Sequence, residues 1–209
     1  MATKKLNFSK REAINFGFET AKKNIFYFIS VFVVIILINA SLGILQVSLG
    51  GEGNPIGSLI VTVLRVVVGL IISMGLIKIT LEFVDKGKPQ VSDLFYTKSI
   101  LNYFLVSVLR SLIIVVGFIL FIIPGIIFSI KLQFATYLVI DKDMGVVDSL
   151  NKSWEMTKGV KWNLFLFSLL LVLINIVGLL ALIVGLIITI PLSIIATAFV
   201  YRKLYSQVF

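Results

Sequence analysis

The sequence predicts an all-α fold, a polytopic bundle of transmembrane helices, and three observations lead to this prediction. Of the 209 residues, 59% are hydrophobic and only 14% are charged, whereas about a quarter of an average soluble domain is charged. The mean hydropathy is +1.10. The apolar residues form runs long enough to cross a bilayer, which takes about 20 helical residues. We therefore expect lipid to solvate most of the apolar surface.

The basic residues are grouped between the apolar runs. A net charge of +9 can indicate a nucleic-acid-binding protein, but such proteins concentrate their charge on one face. Here most of the Lys and Arg residues flank candidate spans, so no nucleic-acid partner is expected. They form four clusters: Lys4, Lys5, Lys10, Arg11, Lys22 and Lys23; Lys86, Lys88 and Lys98; Lys142, Lys152, Lys158 and Lys161; Arg202 and Lys203.

Six spans arranged as three hairpins place all four clusters on one side, as the positive-inside rule requires. The chain is then a multi-pass protein of the inner (cytoplasmic) membrane with both termini cytoplasmic. No cleavable signal peptide is predicted, because the first apolar run is span-length and lacks a small-residue cleavage pattern. Residues 25–205 form one transmembrane domain with spans at 25–47, 57–81, 100–122, 124–140, 162–180 and 183–201.

The weakest part of this threading is the double-length run over 100–140. Pro124 and Gly125 are predicted to break it, because proline cannot continue a helical hydrogen-bond ladder. The resulting fourth span is short and contains Lys131, so a tilted or partly re-entrant segment is an open alternative. A five-span alternative joins 112–130 into one helix, but it moves the third basic cluster outside.

Two short amphipathic helices are predicted at the cytoplasmic surface. The first lies within residues 1–24, where Ser9 and Glu12 have the spacing of a capping box. Its apolar stripe is Ile14, Phe18, Ala21 and Ile25. We interpret it either as an anionic-lipid anchor or as a helix that sets the topology.

The second interfacial helix is predicted within residues 141–161. Val147, Leu150 and Trp154 give it one apolar edge, and Gly159 provides a C-terminal stop. Trp154 and Trp162 have the positions of interfacial anchors. Asp141 and Asp143 have no third ligand nearby in the sequence and the chain has no histidine, so no metal site is predicted.

Three cations interrupt the predicted spans, namely Arg65, Arg110 and Lys131. A cation at the bilayer centre costs about 2.5–3.5 kcal/mol on insertion scales. They are candidates for contact with an anionic lipid or ligand, or they reach a surface by snorkelling. Arg65 and Lys131 are close enough to the outer surface for this, whereas Arg110 either faces the bundle interior or lies near the interface. Hydrogen bonds between helices are predicted for Asn39, Gln133 and Asn175.

An enzyme is not predicted. The chain has no cysteine and no histidine, and none of the predicted span cores contains a carboxylate. It therefore lacks the usual nucleophiles, bases and metal ligands, and we predict no catalytic residues, no metal and no cofactor. A lipid-modifying enzyme would have to use a serine, a tyrosine or a peripheral aspartate.

Several motifs recur in a recognisable order. They are Gly87–Phe95 (GKPQVSDLF), Ile123–Ile126 (IPGI), Asp148–Trp154 (DSLNKSW), Thr157–Gly159 (TKG) and Ala196–Leu204 (ATAFVYRKL). Over residues 10–205 the chain resembles the membrane domain fused to some bacterial glycerophosphoryl diester phosphodiesterases, and its stand-alone relatives of unknown function. The resemblance implies a six-helix membrane protein and carries over no catalytic residue. It marks six residues as a cytoplasmic docking or structural motif: Asp148, Ser149, Ser153, Trp154, Lys158 and Gly159.

Two functions remain as hypotheses. The first is a non-enzymatic membrane protein that binds membrane lipid or a partner protein, in envelope homeostasis or in resistance to membrane-active peptides. The alternative is a small oligomeric channel or exporter for an anion or amphiphile. The channel requires the three span cations to face one water-accessible cavity. The expected partners are membrane lipids together with a protein partner or further copies of the chain.

Overall fold

The fold is all-α, as predicted. The computed structural model describes residues 6–49, 54–181 and 185–209, and within these ranges it has nine α-helices and one short 3₁₀ helix. The helices are α1 (Lys10–Lys23), α2 (Ile25–Leu49), α3 (Pro55–Val84), the 3₁₀ helix Val91–Phe95, α4 (Ile100–Leu120), α5 (Ile122–Lys131), α6 (Ala135–Lys142), α7 (Val146–Met156), α8 (Lys161–Leu180) and α9 (Leu186–Val208).

Six segments are long and apolar enough to cross a membrane, which indicates a multi-pass membrane protein. They are α2, α3, α4, the pair α5–α6, α8 and α9. The last of these continues to Val208, beyond the predicted end at residue 201. The predicted start of this span at residue 183 and the turn that contains Glu52 lie outside the described residues.

The break between the third and fourth spans lies three residues before the predicted one. Helix α4 ends at Leu120 and Phe121 is extended. Pro124 then sits in the first turn of α5, where its missing N–H has no helical partner to lose. Gly125 is buried and allows close packing, because a Cβ there would lie 2.4 Å from the Phe118 ring. The Pro-Gly pair therefore begins a helix and packs it against α4.

The fourth span is interrupted in its middle. Helix α5 ends at Lys131 and α6 begins at Ala135, so residues 132–134 carry backbone groups without helical partners. Residues 135–140 of α6 are all buried. Non-helical backbone at membrane depth is tolerated only where protein covers it or water reaches it, and here protein covers it.

Helix α1 differs from the predicted surface helix, because it packs lengthwise and antiparallel along α9. Asn7 and Gln207 exchange two hydrogen bonds. The residues of α1 that face the protein are Ala13, Gly17 and Ala21, and the predicted stripe residue Phe18 is exposed. Ala21 of the predicted stripe faces the protein and Ile14 is partly buried against the core, and Gly17 takes part in this face because a Cβ there would lie 2.6 Å from the Leu192 carbonyl oxygen.

The predicted capping box of α1 is half present. The Ser9 hydroxyl accepts from the Glu12 N–H at 3.2 Å. The Glu12 carboxylate is 3.8 Å from the Lys203 ammonium. It therefore links α1 to α9.

A polar cluster ties α3, α6 and α9 together at one end of the bundle. The Arg202 guanidinium donates to Asp85 and to Asp141, each at 2.5 Å. The Tyr201 hydroxyl also donates to Asp141, at 2.8 Å. We call these four residues the polar clamp. Asp85 follows α3, Asp141 lies in the last turn of α6, and Tyr201 and Arg202 lie within α9, so the clamp fixes these three helices relative to one another.

Asp143 has partners of its own. It accepts a short hydrogen bond from the Ser99 hydroxyl and lies 3.5 Å from Lys98. The Ser99 hydrogen bond and then the Lys98 charge hold the pKa of the Asp143 carboxyl below its usual value. Asp141 and Asp143 therefore serve separate contacts and do not form a joint site.

The basic loop after α3 folds back onto the bundle. Leu94, in the 3₁₀ helix, is fully buried and packs with Val31 and Ile79 between α2 and α3. Its backbone rests directly on Gly75 of α3, where a Cβ would lie 2.1 Å from the Leu94 carbonyl oxygen. Gly75 is therefore needed for this close approach.

We expect Gly75→Ala to lower the free energy of unfolding by about 1–3 kcal/mol, because backbone of the 3₁₀ segment must move. Gly69→Ala is the matched control on the same helix, since a Cβ there meets nothing within 4 Å. This control should raise stability by about 0.5–1 kcal/mol through helix propensity. Thermal unfolding in one detergent compares the two, and equal effects would contradict the assigned contact.

The six-span threading can be tested by thiol labelling, because the natural chain has no cysteine. Single cysteines replace Lys88, Lys158 and Ser48, which are all exposed. We expect an impermeant maleimide to reach Lys88→Cys and Lys158→Cys from the cytoplasmic side and Ser48→Cys from the other side. Labelling of Lys158→Cys on the Ser48→Cys side would instead support five spans.

Candidate functional site

Helix α7 seals the interruption of the fourth span. The Ser153 hydroxyl donates to the Lys131 carbonyl at 2.8 Å and accepts from the Phe134 N–H at 3.2 Å. The Thr157 hydroxyl lies 3.5 Å from the same carbonyl. One serine thus satisfies a free acceptor and a free donor that the break leaves in the protein interior.

The predicted docking motif divides between two faces of α7. Ser149 and Ser153 are buried, whereas Asp148 and Lys158 are exposed. Gly159 has φ of +84°, a left-handed conformation that glycine adopts without strain. The inward half of the motif is therefore structural, and the outward half is available for contact with other molecules.

The Lys131 side chain contacts α7. Its ammonium lies 3.1 Å from the centroid of the Trp154 ring. An aromatic face stabilises a cation through its quadrupole, most strongly where water is excluded. Because Ser153 holds α7 against the break, Trp154 is the nearest favourable surface for Lys131.

A groove lies between α5 and α8 beside this contact. Its volume is about 510 Å³. One wall consists of isoleucines of α5, and the other carries Lys161 at the start of α8. Besides Lys161, the residues that define this α5–α8 groove are Ile123, Ile126, Ile127, Ile130, Gly159, Trp162 and Phe165.

Lys161 lines the α5–α8 groove, and Lys131, which ends α5, directly follows the last isoleucine of the groove wall. Lys161 is close enough to Lys131 for the two charges to repel each other. Among the described residues, neither lysine has a carboxylate oxygen within 4 Å. The groove therefore combines an apolar wall with positive charge that no acid of the described chain neutralises.

Arg110 and Arg65 lie elsewhere. Arg110 is half-buried in α4, its Nε atom is buried without a hydrogen-bond partner, and the titratable groups near it are Tyr103 and Tyr137. Arg65 is exposed on α3 and donates to the Leu42 carbonyl of α2 at 3.3 Å. Each of the three predicted span cations has a different set of neighbours.

The predicted polar contacts between helices had mixed outcomes. Asn175 donates to the Ser193 hydroxyl at 2.7 Å and so joins α8 to α9, as predicted. Asn39 was predicted wrongly, because its amide donates within its own helix to Ile35. The Gln133 amide nitrogen, in the break itself, is buried without a partner.

Sequence reasoning missed several residues of the site. Lys161 was assigned only to a basic cluster, and Thr157 was noted only as part of a recurring motif. Their positions depend on the α5–α6 break, which carries no Gly or Pro and so gives no local signal. Within the described ranges no group of three potential metal ligands occurs.

One family matches the chain. It is described as a domain of unknown function (DUF7847), and the match covers residues 94–207. This region begins at the 3₁₀ helix and includes the α5–α6 break, α7 and the α5–α8 groove. No curated protein and no solved structure matches the chain. The resemblance to the phosphodiesterase membrane domain therefore stays a prediction.

We expect Ser153→Ala to lower the free energy of unfolding by about 1–3 kcal/mol, because it leaves a buried carbonyl and a buried N–H unpaired. Ser129→Ala is the matched control, since the Ser129 hydroxyl donates only within α5. Its effect should stay within about 0.5 kcal/mol. Chemical unfolding in detergent measures both, and similar values would show that Ser153 does not support the break.

Proposed function

The chain belongs to the DUF7847 family, and from its structure we propose that it is a non-enzymatic membrane protein that binds an anionic lipid. The observation that carries this proposal is a set of cations within or beside apolar helices that have no acidic partner. The ion pairs of the described residues use other bases: Lys78, Lys98, Lys142, Arg202 and Lys203.

Three cations without an acidic partner lie against apolar side chains, namely Arg110 and Lys131, which are partly buried, and Lys161, which is exposed but lines the α5–α8 groove. A charge in an apolar environment is costly unless an opposite charge or hydrogen-bond acceptor compensates it. Anionic lipid headgroups are the opposite charges that a membrane itself supplies. Binding such a lipid would therefore compensate these cations and stabilise the helical bundle.

Arg65 supports this interpretation by contrast. Its guanidinium donates to a backbone carbonyl, whereas the Nε atom of Arg110 is buried with no acceptor. A bound anionic oxygen would supply the missing acceptor at Arg110. Snorkelling accounts for Arg65, which is exposed, and it does not account for a buried, unpaired Nε atom.

The channel hypothesis receives no such support. It requires the three predicted span cations to line one route, and Arg65, Arg110 and Lys131 have separate neighbours in the described structure. We propose no catalytic step, because the polar groups around the groove are lysines and indoles with no acid or activated nucleophile among them.

We place the protein in the cytoplasmic membrane with both termini inside. The hydrogen bonds between Asn7 and Gln207 keep the two ends of the described chain adjacent, and the basic clusters favour the cytoplasmic side. The exposed bases of α1 would add attraction to anionic headgroups. A role in envelope homeostasis or in resistance to membrane-active peptides follows if the lipid it binds is one that such peptides target. The outward face of α7 is the proposed surface for a protein partner or another copy.

The proposal is tested by native mass spectrometry of the chain extracted with its own membrane lipids. We expect the wild type to retain an anionic lipid class in preference to neutral lipids. Replacing Arg110, Lys131 and Lys161 together by Gln should reduce this retention at least tenfold, because each cation adds about fivefold to anionic-lipid affinity.

The matched control replaces Lys22, Lys88 and Lys158 by Gln. It removes the same charge from exposed positions and should leave retention unchanged. Size-exclusion chromatography confirms that both variants are folded. Equal retention of neutral and anionic lipids by the wild type, or equal losses in the two triple variants, would refute lipid binding through unpaired cations.

A further inference from the structure

The α5–α8 groove has the shape of a binding site for one chain-like ligand. Its volume of about 510 Å³ lies within the range of about 300–1,000 Å³ that ligand pockets occupy. Ile123, Ile126 and Ile130 follow one another at spacings of three and four, so they form one apolar stripe along α5. Phe165 of α8 faces the groove from the other side. This surface offers no polar group to a ligand along its length.

The end of the groove has the opposite character. Ile130 is followed directly by Lys131, and Lys161 stands at the first position of α8. Lys161 lines the groove, and no carboxylate of the described residues lies within 4 Å of either lysine. An anion placed between them would be attracted by both charges.

Two tryptophans flank the same end. Trp154 holds the Lys131 ammonium over its ring, which fixes that charge against α7. Trp162 lines the groove and is 78% exposed. Indole rings favour the depth of lipid headgroups, where one side is apolar and the other is wet. The start of α8, with Lys161 and Trp162, therefore matches the headgroup level, the isoleucine stripe matches the acyl region, and Lys131 lies deeper, at the break in the fourth span.

We propose that the α5–α8 groove binds one anionic amphiphile, with its acyl chain against the isoleucines and Phe165 and its anionic head between Lys131 and Lys161. This inference rests on the proposed function and gives it a site. A phospholipid phosphate and a fatty-acid carboxylate share this chemistry. The apolar stripe attracts the acyl chain of the ligand, and the lysines favour ligands with a negatively charged head.

The first test measures retention of dioleoylphosphatidylglycerol by native mass spectrometry after reconstitution of the full chain. Lys161→Gln should weaken retention about fivefold, and the double variant Lys131→Gln/Lys161→Gln about twentyfold. Lys158→Gln is the matched control, because it removes an exposed charge only three residues away and should change nothing. The charge-conserving Lys131→Arg/Lys161→Arg should restore retention, which separates loss of charge from misfolding. Lys161→Gln equal to Lys158→Gln would overturn the site.

The second test identifies the source of the anion and the need for a chain. Oleate and dioleoylphosphatidylglycerol should each displace the bound lipid from the groove. The one that binds more tightly shows whether the groove prefers a carboxylate or a phosphate head. Dioleoylphosphatidylcholine should compete poorly because its head is neutral overall, and inorganic phosphate should not compete because it has no chain. Competition by inorganic phosphate at a concentration similar to that of the lipid would contradict the proposal that the ligand is an amphiphile.

The third test fills the groove without changing charge. Ile126→Trp places a bulky ring across the apolar stripe and should reduce retention at least tenfold, whereas Ile176→Trp, at an exposed position of α8, should have no effect. If the wild type retains anionic lipid and both Ile126→Trp and the double lysine variant retain it equally well, the α5–α8 groove is not the binding site, while the proposed function stands. If the wild type retains no anionic lipid, the proposed function itself fails.

Discussion

The rest of this structure depends on one constraint, the need to pair every backbone polar group that leaves a helix inside the bundle. The chain leaves its helix between Lys131 and Ala135, where a bare carbonyl and a bare N–H would each cost free energy. Ser153 pairs both groups. This requirement positions α7, which carries Trp154 to Lys131 and leads into α8. The α5–α8 groove and its lysines thus depend on the hydrogen bonds by which Ser153 closes the α5–α6 break.

Burial is distributed unevenly among the spans. Half of the fourth span is buried and 39% of the last one, compared with 17% of the first three. The buried side chains concentrate around α6 and α9, which the polar clamp joins to each other and to α3. The remaining helices present most of their apolar surface to lipid, which costs nothing in a bilayer. The molecule is therefore a firmly packed region with lipid-facing helices attached to it.

Hydropathy was sufficient to predict the all-α class and six apolar segments, because lipid imposes length and composition on each span separately. It could not predict which side chains face one another. The hydrogen bond from Ser153 to Lys131 joins residues 22 positions apart, and neither residue signals the other. The same limit explains α1, where Gly17 packs on α9 in preference to the more apolar Phe18. Pro124 illustrates a further limit, because proline breaks a helix in its interior but is tolerated in a first helical turn, and hydropathy does not indicate which of the two positions it occupies.

The central claim, an anionic amphiphile in the α5–α8 groove, is tested most directly by imaging the protein in a bilayer of its own lipids. Electron cryomicroscopy of nanodiscs that contain native lipid would show the groove with its occupant. We expect a continuous chain-shaped density along Ile123, Ile126 and Ile130 that ends in a head between Lys131 and Lys161. A groove closed by contact between α5 and α8, or one with no density while other lipids are ordered, would contradict it.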